Sequence, residues 1–395
     1  MQKKLIALAV AGLASGLASA QTNVTIYGVL DLAYVYSSGS AGRINGVKVP
    51  GTNTFSGISG IGAGNRLGFK GEEALGNGLK AVFTLEYGLD PDSNCGVGTC
   101  GLNARQQFVG LASKFGTVAL GRQYAPGFNA TANNDALDAS DFGIQSSLSY
   151  TYGMTITPNS PARFDNAITY TSNDLSGFKI SAIYGFGETK SDGKTYNDKV
   201  NSTFDGSKVG IGLNYANGPI NLDAVFQSRL SFAPPNCATN PNFPNCAAPA
   251  PGPYKIPGSS KSINEWYVGG SYDFKVVKIF GSYQALDNNN NIIATGIDNS
   301  DLWTVGISAP IGRGTLGLSY GRLSTDRNYA SDGLSWGAGT QYTYPLSKRT
   351  SVYGAYSYFS NNSHALPGQA IAVPGTVGAP GESNYALGAG ITHSF

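Results

Sequence analysis

The sequence predicts an all-β chain, a sixteen-stranded antiparallel transmembrane β-barrel, and three observations carry that prediction. The 395 residues include 54 Gly and 23 Tyr but only 2 Met, a composition poor in helix formers and rich in turn and strand residues. Apolar and polar residues alternate with period 2 through about sixteen short segments. The connections between segments alternate between short turns and long loops, as in a barrel with periplasmic turns and extracellular loops.

The first element is not part of the barrel. "MQKKLIALAVAGLASGLASA" has two lysines, an apolar stretch from Leu5 to about Ala14, and small residues ending in Ala18-Ser19-Ala20. This is the pattern of a secretory signal cleaved after Ala20, so residues 1–20 are read as a leader and 21–395 as the barrel domain. A membrane anchor is the alternative, but the stretch is too short and too broken by Gly and Ser to span ~30 Å of hydrocarbon. Lys3 and Lys4 leave with the leader, so 24 of the 26 basic residues remain against 24 acidic ones. A neutral chain with 13% charged residues lacks the basic excess of nucleic-acid binding, and that class is excluded. No apolar run of about 18 residues follows Ala20, so no transmembrane helix is expected.

The strands follow in order. "NVTIYGVLDLAYVYS" sets Val24, Ile26, Leu30, Leu32 and Tyr34 against Thr25, Tyr27, Asp31 and Ala33. "NRLGFKGEE" sets Leu67 and Phe69 against Arg66, Gly68, Lys70 and Glu72, and after the "LGNG" turn "LKAVFTLEYG" sets Leu79, Ala81, Phe83, Leu85 and Tyr87 against Lys80, Val82, Thr84 and Glu86. Further strands are expected near 104–113, 117–124, 163–172, 177–187, 208–216, 220–230, 262–274, 276–287, 300–310, 315–324, 334–345, 348–360 and 384–395. Long loops are expected at roughly 38–63, 91–103, 125–162, 188–207, 231–261, 288–299 and 361–383. A secreted sandwich or solenoid would also alternate, but its apolar face packs a dense core. Here the polar phase carries Gly, Ser, Thr, Asn, Asp and Arg on strand after strand, as a wet lumen does. Tyr and Phe gather near strand ends, which suits aromatic girdles at two lipid interfaces.

The segments "VTIYGVLDLA", "NRLGFKGEEALGNGLKAVFTLE", "FVGLASKFGTVALGRQY", "NAITYTSNDLSGF", "YPLSKRTSVYGAYSY" and the terminal "GITHSF" together resemble the trimeric general porins of Gram-negative outer membranes, of the beta-proteobacterial type. The resemblance runs nearly end to end, with breaks at the long loops. It implies a homotrimer in contact with outer-membrane lipids and lipopolysaccharide. It also implies that Phe395 is the signal that the outer-membrane assembly machinery reads, and that the last strand closes on the first. It further implies that the third long loop, residues 125–162, folds into the pore and narrows it, presenting Asp135, Asp138 and Asp141. Acids facing a basic wall across a narrow channel set up a transverse field on permeating solutes. Read singly, each aspartate is equally a solvated turn former.

Strand phase supplies the basic wall. Arg66, Lys70, Lys80 and Arg163 share the lumen phase, and a charge facing lipid at the midplane costs ~2–4 kcal/mol. Arg105 precedes its strand and is expected at the loop end. Strict alternation puts Arg122 on the lipid side with Val118 and Leu120, so its place in the wall rests on the family's "LGR" motif and needs a bulge, a subunit contact or an interfacial position. Where related porins commonly carry a basic residue inside "TVRLG", this chain has Ala119, which counts against strong anion selectivity.

The cysteines form two close pairs, Cys95 with Cys100 and Cys237 with Cys246. An exported chain is oxidised, and no His or acid lies between Cys95 and Cys100, so two local disulfides are expected rather than metal, each contributing ~2–3 kcal/mol by loop closure. No cofactor is expected. Enzyme chemistry would need a general base, and the 2 histidines fall in the last loop (His364) and in the lipid phase of the last strand (His393). A passive diffusion channel for small hydrophilic solutes is the function expected. Its alternatives are a substrate-preferring channel with Tyr124, Phe128, Phe142, Tyr150 and Tyr152 as an aromatic track, and a closed adhesion or structural barrel.

Overall fold

A computed structural model describes residues 23–44, 46–93, 103–149, 162–186, 207–230, 262–288, 297–327, 331–366, 368, 370, 372 and 376–395. The leader and the four cysteines lie outside the described residues. The chain runs β1 (Asn23–Gly39), β2 (Gly42–Ile44), β3 (Val47–Val49), β4 (Thr52–Ser59), β5 (Arg66–Gly76), β6 (Leu79–Gly88), β7 (Asn103–Ser113), β8 (Gly116–Tyr124), α1 (Pro126–Asn133) and α2 (Ile144–Ser149). It continues through β9 (Arg163–Thr171), β10 (Phe178–Gly185), β11 (Lys208–Asn217), β12 (Ile220–Leu230), β13 (Ser262–Asp273) and β14 (Lys278–Asn288). The last strands are β15 (Ile297–Ile311), β16 (Gly314–Arg327), β17 (Gly333–Pro345), β18 (Thr350–Asn361) and β19 (Ser383–Ser394).

Each of β5 to β19 pairs antiparallel with the next, and β19 pairs with β1, which in turn pairs with both β4 and β5. With β4 and β5 counted as two halves of one strand, the sheet closes as a sixteen-stranded barrel with no free edge. The segment 38–63, expected to be a loop, instead contains the β2–β3 hairpin and β4, because "TNTFSGIS" continues the alternation beyond its Gly-rich surroundings. The second barrel strand is broken between Ser59 and Arg66. The seventh connection at the long-loop rim, between Arg327 and Gly333, is short.

Register fixes which phase faces where. Val24, Ile26, Tyr34, Trp266, Val268 and Val305 stand out from the barrel, each at least half exposed in the isolated chain, as lipid-facing groups do. Outer rings form two belts. Trp303, Tyr320, Trp336 and Tyr358 follow one another at 5.5, 6.0 and 5.4 Å toward the long-loop rim, while Phe178–Tyr215 and Tyr272–Phe274, both at 4.5 Å, mark the short-turn rim. The apolar core lies inside the barrel rather than within a sandwich. Phe142, Ile144 and Leu148 of the segment after β8 pack with Val35, Ile263, Leu302, Leu323 and Phe359 of the wall, and Ala370 and Ala372 of the last loop join them. The inner phase is therefore not uniformly wet: the arc from β13 through β19 to β1 is sealed by inward loops.

Candidate functional site

After Tyr124 the chain turns inward. Gly127 N–H donates to Gln227 Oε1 on β12 at 2.9 Å, and the Tyr267 hydroxyl donates to Ala130 O at 3.3 Å, pinning α1 to the inner wall. Asn134 Nδ2 donates to Asp223 Oδ2 at 2.8 Å, and α2 then lies against β15, β16 and β17. The loop thus runs along the inner wall, with α1 against β10 to β13 and α2 against β15 to β17.

The acids of the loop fall in three different environments. Asp135 is buried, accepts Leu137 N–H at 2.9 Å, and has its carboxyl pushed up to about 6 by desolvation. Asp138 stands at a left-handed turn, φ 55°, where desolvation pushes its carboxyl up against the opposing pull of Lys278 on β14. Asp141 is half-buried and donates its backbone N–H to Ile61 O at 2.8 Å.

The basic groups divide into paired and unpaired. Arg105 Nε donates to Glu86 Oε1 at 2.9 Å, and Glu86 also accepts the Tyr124 hydroxyl at 2.8 Å and the Tyr27 hydroxyl at 3.0 Å. Arg105 reaches Glu86 because a bulge between Glu86 and Tyr87 re-aims the start of β7. Arg122 sits beside a second irregularity, between Gly121 and Gln123, where Nε donates to Ala104 O at 2.8 Å and a terminal nitrogen pairs with Asp165. Arg66, Lys70 and Arg163 form no ion pair among the described residues. Arg163 lies over the rings of Tyr124 and Phe128 at 4.8 and 5.5 Å, and Lys70 over Tyr27 at 5.3 Å. Lys80 shares the inner phase but stands at the short-turn rim, where it pairs with Glu72 at 2.9 Å with both side chains about half exposed. Pairing of Arg66 with Val29 and of Lys70 with Thr25 puts both in the inner phase of β1.

Three side chains, Lys208, Arg229 and Glu265, escaped sequence reasoning. Lys208 and Arg229 stand opposite each other on β11 and β12 in the inner phase, and Arg229 pairs with buried Glu265 at 2.9 Å. The signal was present, since alternation with Gly210 and Gln227 gives their phase, but nothing local distinguishes a wall residue at the loop from one at a rim. Of the aromatics, Tyr124 and Phe128 stack on each other at 3.8 Å and Phe142 is sealed in the core. Tyr150 and Tyr152 lie outside the described residues. At the chain end, Gly28 and Phe395 exchange both backbone hydrogen bonds at 3.1 Å. A Cβ on Gly28 would sit 2.2 Å from the Phe395 ring, so this glycine is what lets the ring lie across β1.

The chain forms a closed barrel with a charged inner arc and an inward loop, and a family model of Gram-negative porins matches residues 7–364. The chain belongs to the Gram-negative porin family. Outer membrane porin protein 32 of Delftia acidovorans is 30% identical to this porin over 401 residues, covering 100% of both chains. An outer membrane porin protein of Bordetella pertussis is 28% identical, covering 91% of this chain and 95% of its own. The solved anion-selective porin from Comamonas acidovorans superposes with a TM-score of 0.71 at 25% identity, over 95% of this chain and 100% of that one. The OmpT protein of Vibrio cholerae, solved in a trimer form, shares the fold at 16% identity and a TM-score of 0.58, over 95% of this chain and 99% of its own. This porin is accordingly an outer-membrane diffusion channel and not an enzyme. His393 is consistent with that: its Nδ1 is 2.9 Å from the Thr350 hydroxyl, on the outer face.

Proposed function

We propose that this porin is a homotrimeric general diffusion channel whose constriction, formed by the inward loop within residues 125–162, favours small anions. The observation that carries the reading is the division of the lumen charges into paired acids and unpaired cations. Glu86, Asp165 and Glu265 are each occupied by an arginine, while Arg66, Lys70, Arg163 and Lys208 form no ion pair among the described residues. On the loop side, desolvation disfavours the charged forms of both Asp135 and Asp138, which weakens the acids that oppose these cations. Lys208 offsets the charge that Ala119 removes. Unpaired cations over aromatic faces attract permeating anions without binding them tightly, which conduction requires.

The trimer reading is supported by an outer-face groove of about 700 Å³ lined by Tyr34, Tyr36, Phe55, Tyr342, Tyr356 and Leu387 around Gly354 and Ala389, where another copy would approach closely. Cleavage of the leader after Ala20, local disulfides at Cys95/Cys100 and Cys237/Cys246, contact with outer-membrane lipids and lipopolysaccharide, and recognition of Phe395 by the assembly machinery complete the proposal. The test is the reversal potential of the purified protein in a planar bilayer across a KCl gradient. A sign showing chloride more permeant than potassium supports it, and the opposite sign rejects it.

A further inference from the structure

One buried carboxylate in the barrel wall has no part in the charge pattern above. Asp31 is fully buried in the inner phase of β1. Its Oδ1 accepts the Gly62 N–H at 2.9 Å and the Tyr353 hydroxyl at 3.0 Å, and its Oδ2 accepts the Thr392 hydroxyl at 2.5 Å. Its backbone is engaged as well: Asp31 N–H donates to Asn65 Oδ1 at 2.5 Å, and Asp31 O accepts Gly60 N–H at 2.9 Å. Three of these five bonds hold residues 60–65, the break between β4 and β5. The other two come from β18 and β19, the strands next to the closure seam.

The break is bent into the lumen rather than out to solvent. Ile61 is 2% exposed and belongs to the core cluster with Phe142 and Ile144. Its carbonyl accepts the Asp141 N–H at 2.8 Å. Gly62 allows the approach, because a Cβ there would lie 2.5 Å from the Tyr353 ring and 2.7 Å from Asp31 Oδ2. A regular strand through 60–65 would satisfy its own backbone bonds and place no residue under the loop.

We infer that Asp31 and the inward break 60–65 form a latch that seats the tip of the inward loop, with Asp31 as a positioning residue for the constriction. This rests on the reading that the loop narrows the pore. Closure of the barrel and seating of the loop meet at one carboxylate, since Tyr353 and Thr392 reach Asp31 from 322 and 361 residues away in sequence.

The experiment compares amide hydrogen exchange and single-channel conductance of the full, folded protein with those of Asp31→Asn, Ile61→Ala, Thr392→Val and Thr392→Ser. Loss of a bond or of the Ile61 peg is expected to speed exchange of residues 126–149 about tenfold while the strand amides stay unchanged, and Thr392→Ser, which keeps the hydroxyl, is expected to exchange like the parent. Conductance is expected to change in the same variants. Should Asp31→Asn fail to fold, Ile61→Ala carries the test, since Ile61 is not a wall residue. Faster loop exchange with unchanged conductance upholds the latch and rejects the constriction reading. Unchanged loop exchange in folded Ile61→Ala, or equal acceleration of loop and strand amides, overturns the latch.

Discussion

Replacing Arg66 and Arg163 together by alanine removes two lumen cations that form no ion pair among the described residues, so no acid is left newly uncompensated. A unit charge about 7 Å from a permeating ion in water contributes about 0.6 kcal/mol, which screening at about 0.1 M salt halves to about 0.3 kcal/mol. Its removal disfavours an anion and favours a cation by that amount each, so the permeability ratio shifts by about 0.6 kcal/mol per charge. That is close to RT, roughly 2.7-fold for each arginine and about sevenfold for the pair, provided the two act independently. The assay is the reversal potential in planar bilayers near 0.1 M mean salt, with conductance measured in parallel and expected to hold or rise as the side chains shorten. The shift should shrink as salt increases, because the effect is a screened field rather than a binding site. An unchanged potential in a double variant that folds and inserts refutes the assignment of these two residues to the basic wall.

Other perturbations test separate parts of the structure. Arg229→Met leaves Glu265 buried without its arginine and is expected to cost about 3–5 kcal/mol in a detergent unfolding titration, whereas Arg229→Met with Glu265→Leu should be close to neutral. Asp135 holds its proton more tightly in the seated loop, at about 6, than the ~3.9 of a free aspartate. Ionisation therefore opposes seating: the contribution is full below about pH 4 and is lost as pH rises through about 6, so residues 126–149 should exchange more slowly at pH 5 than at pH 7 after correction for intrinsic rates. Asp135→Asn should flatten that difference. Gly28→Ala pushes a methyl into the Phe395 ring and should cost about 1–3 kcal/mol, seen as a lower melting temperature. Gly28→Ala with Phe395→Ala should cost less than the sum of the two single changes, and full additivity would show that the ring does not rest on Gly28.

The strands were legible because their signal is local. Period-2 alternation marks which segments pair and which side chains face lipid, and a reader of Val24, Ile26 and Tyr34 needs no knowledge of what lies across the barrel. The inner phase of Arg66, Lys70 and Arg163 follows from the same rule. The rule fails where a strand departs from it. Arg122 and Arg105 are turned by bulges that insert a residue without any change in composition, and the break at 60–65 hides in a Gly-rich stretch that reads as loop.

What the sequence by itself determined is the barrel, its strand count and the facing of most side chains. Which charges are spent on one another was decided by the tertiary structure, because pairing depends on register accumulated around sixteen strands. Arg105 meets Glu86 across 19 residues, but Arg122 meets Asp165 across 43, Gly127 meets Gln227 across 100, and Thr392 meets Asp31 across 361. A local pattern carries no information about partners at those separations. Closing the sheet brings them together, holds the inward loop on the inner wall, and sets Arg163 over the loop's own Phe128 ring.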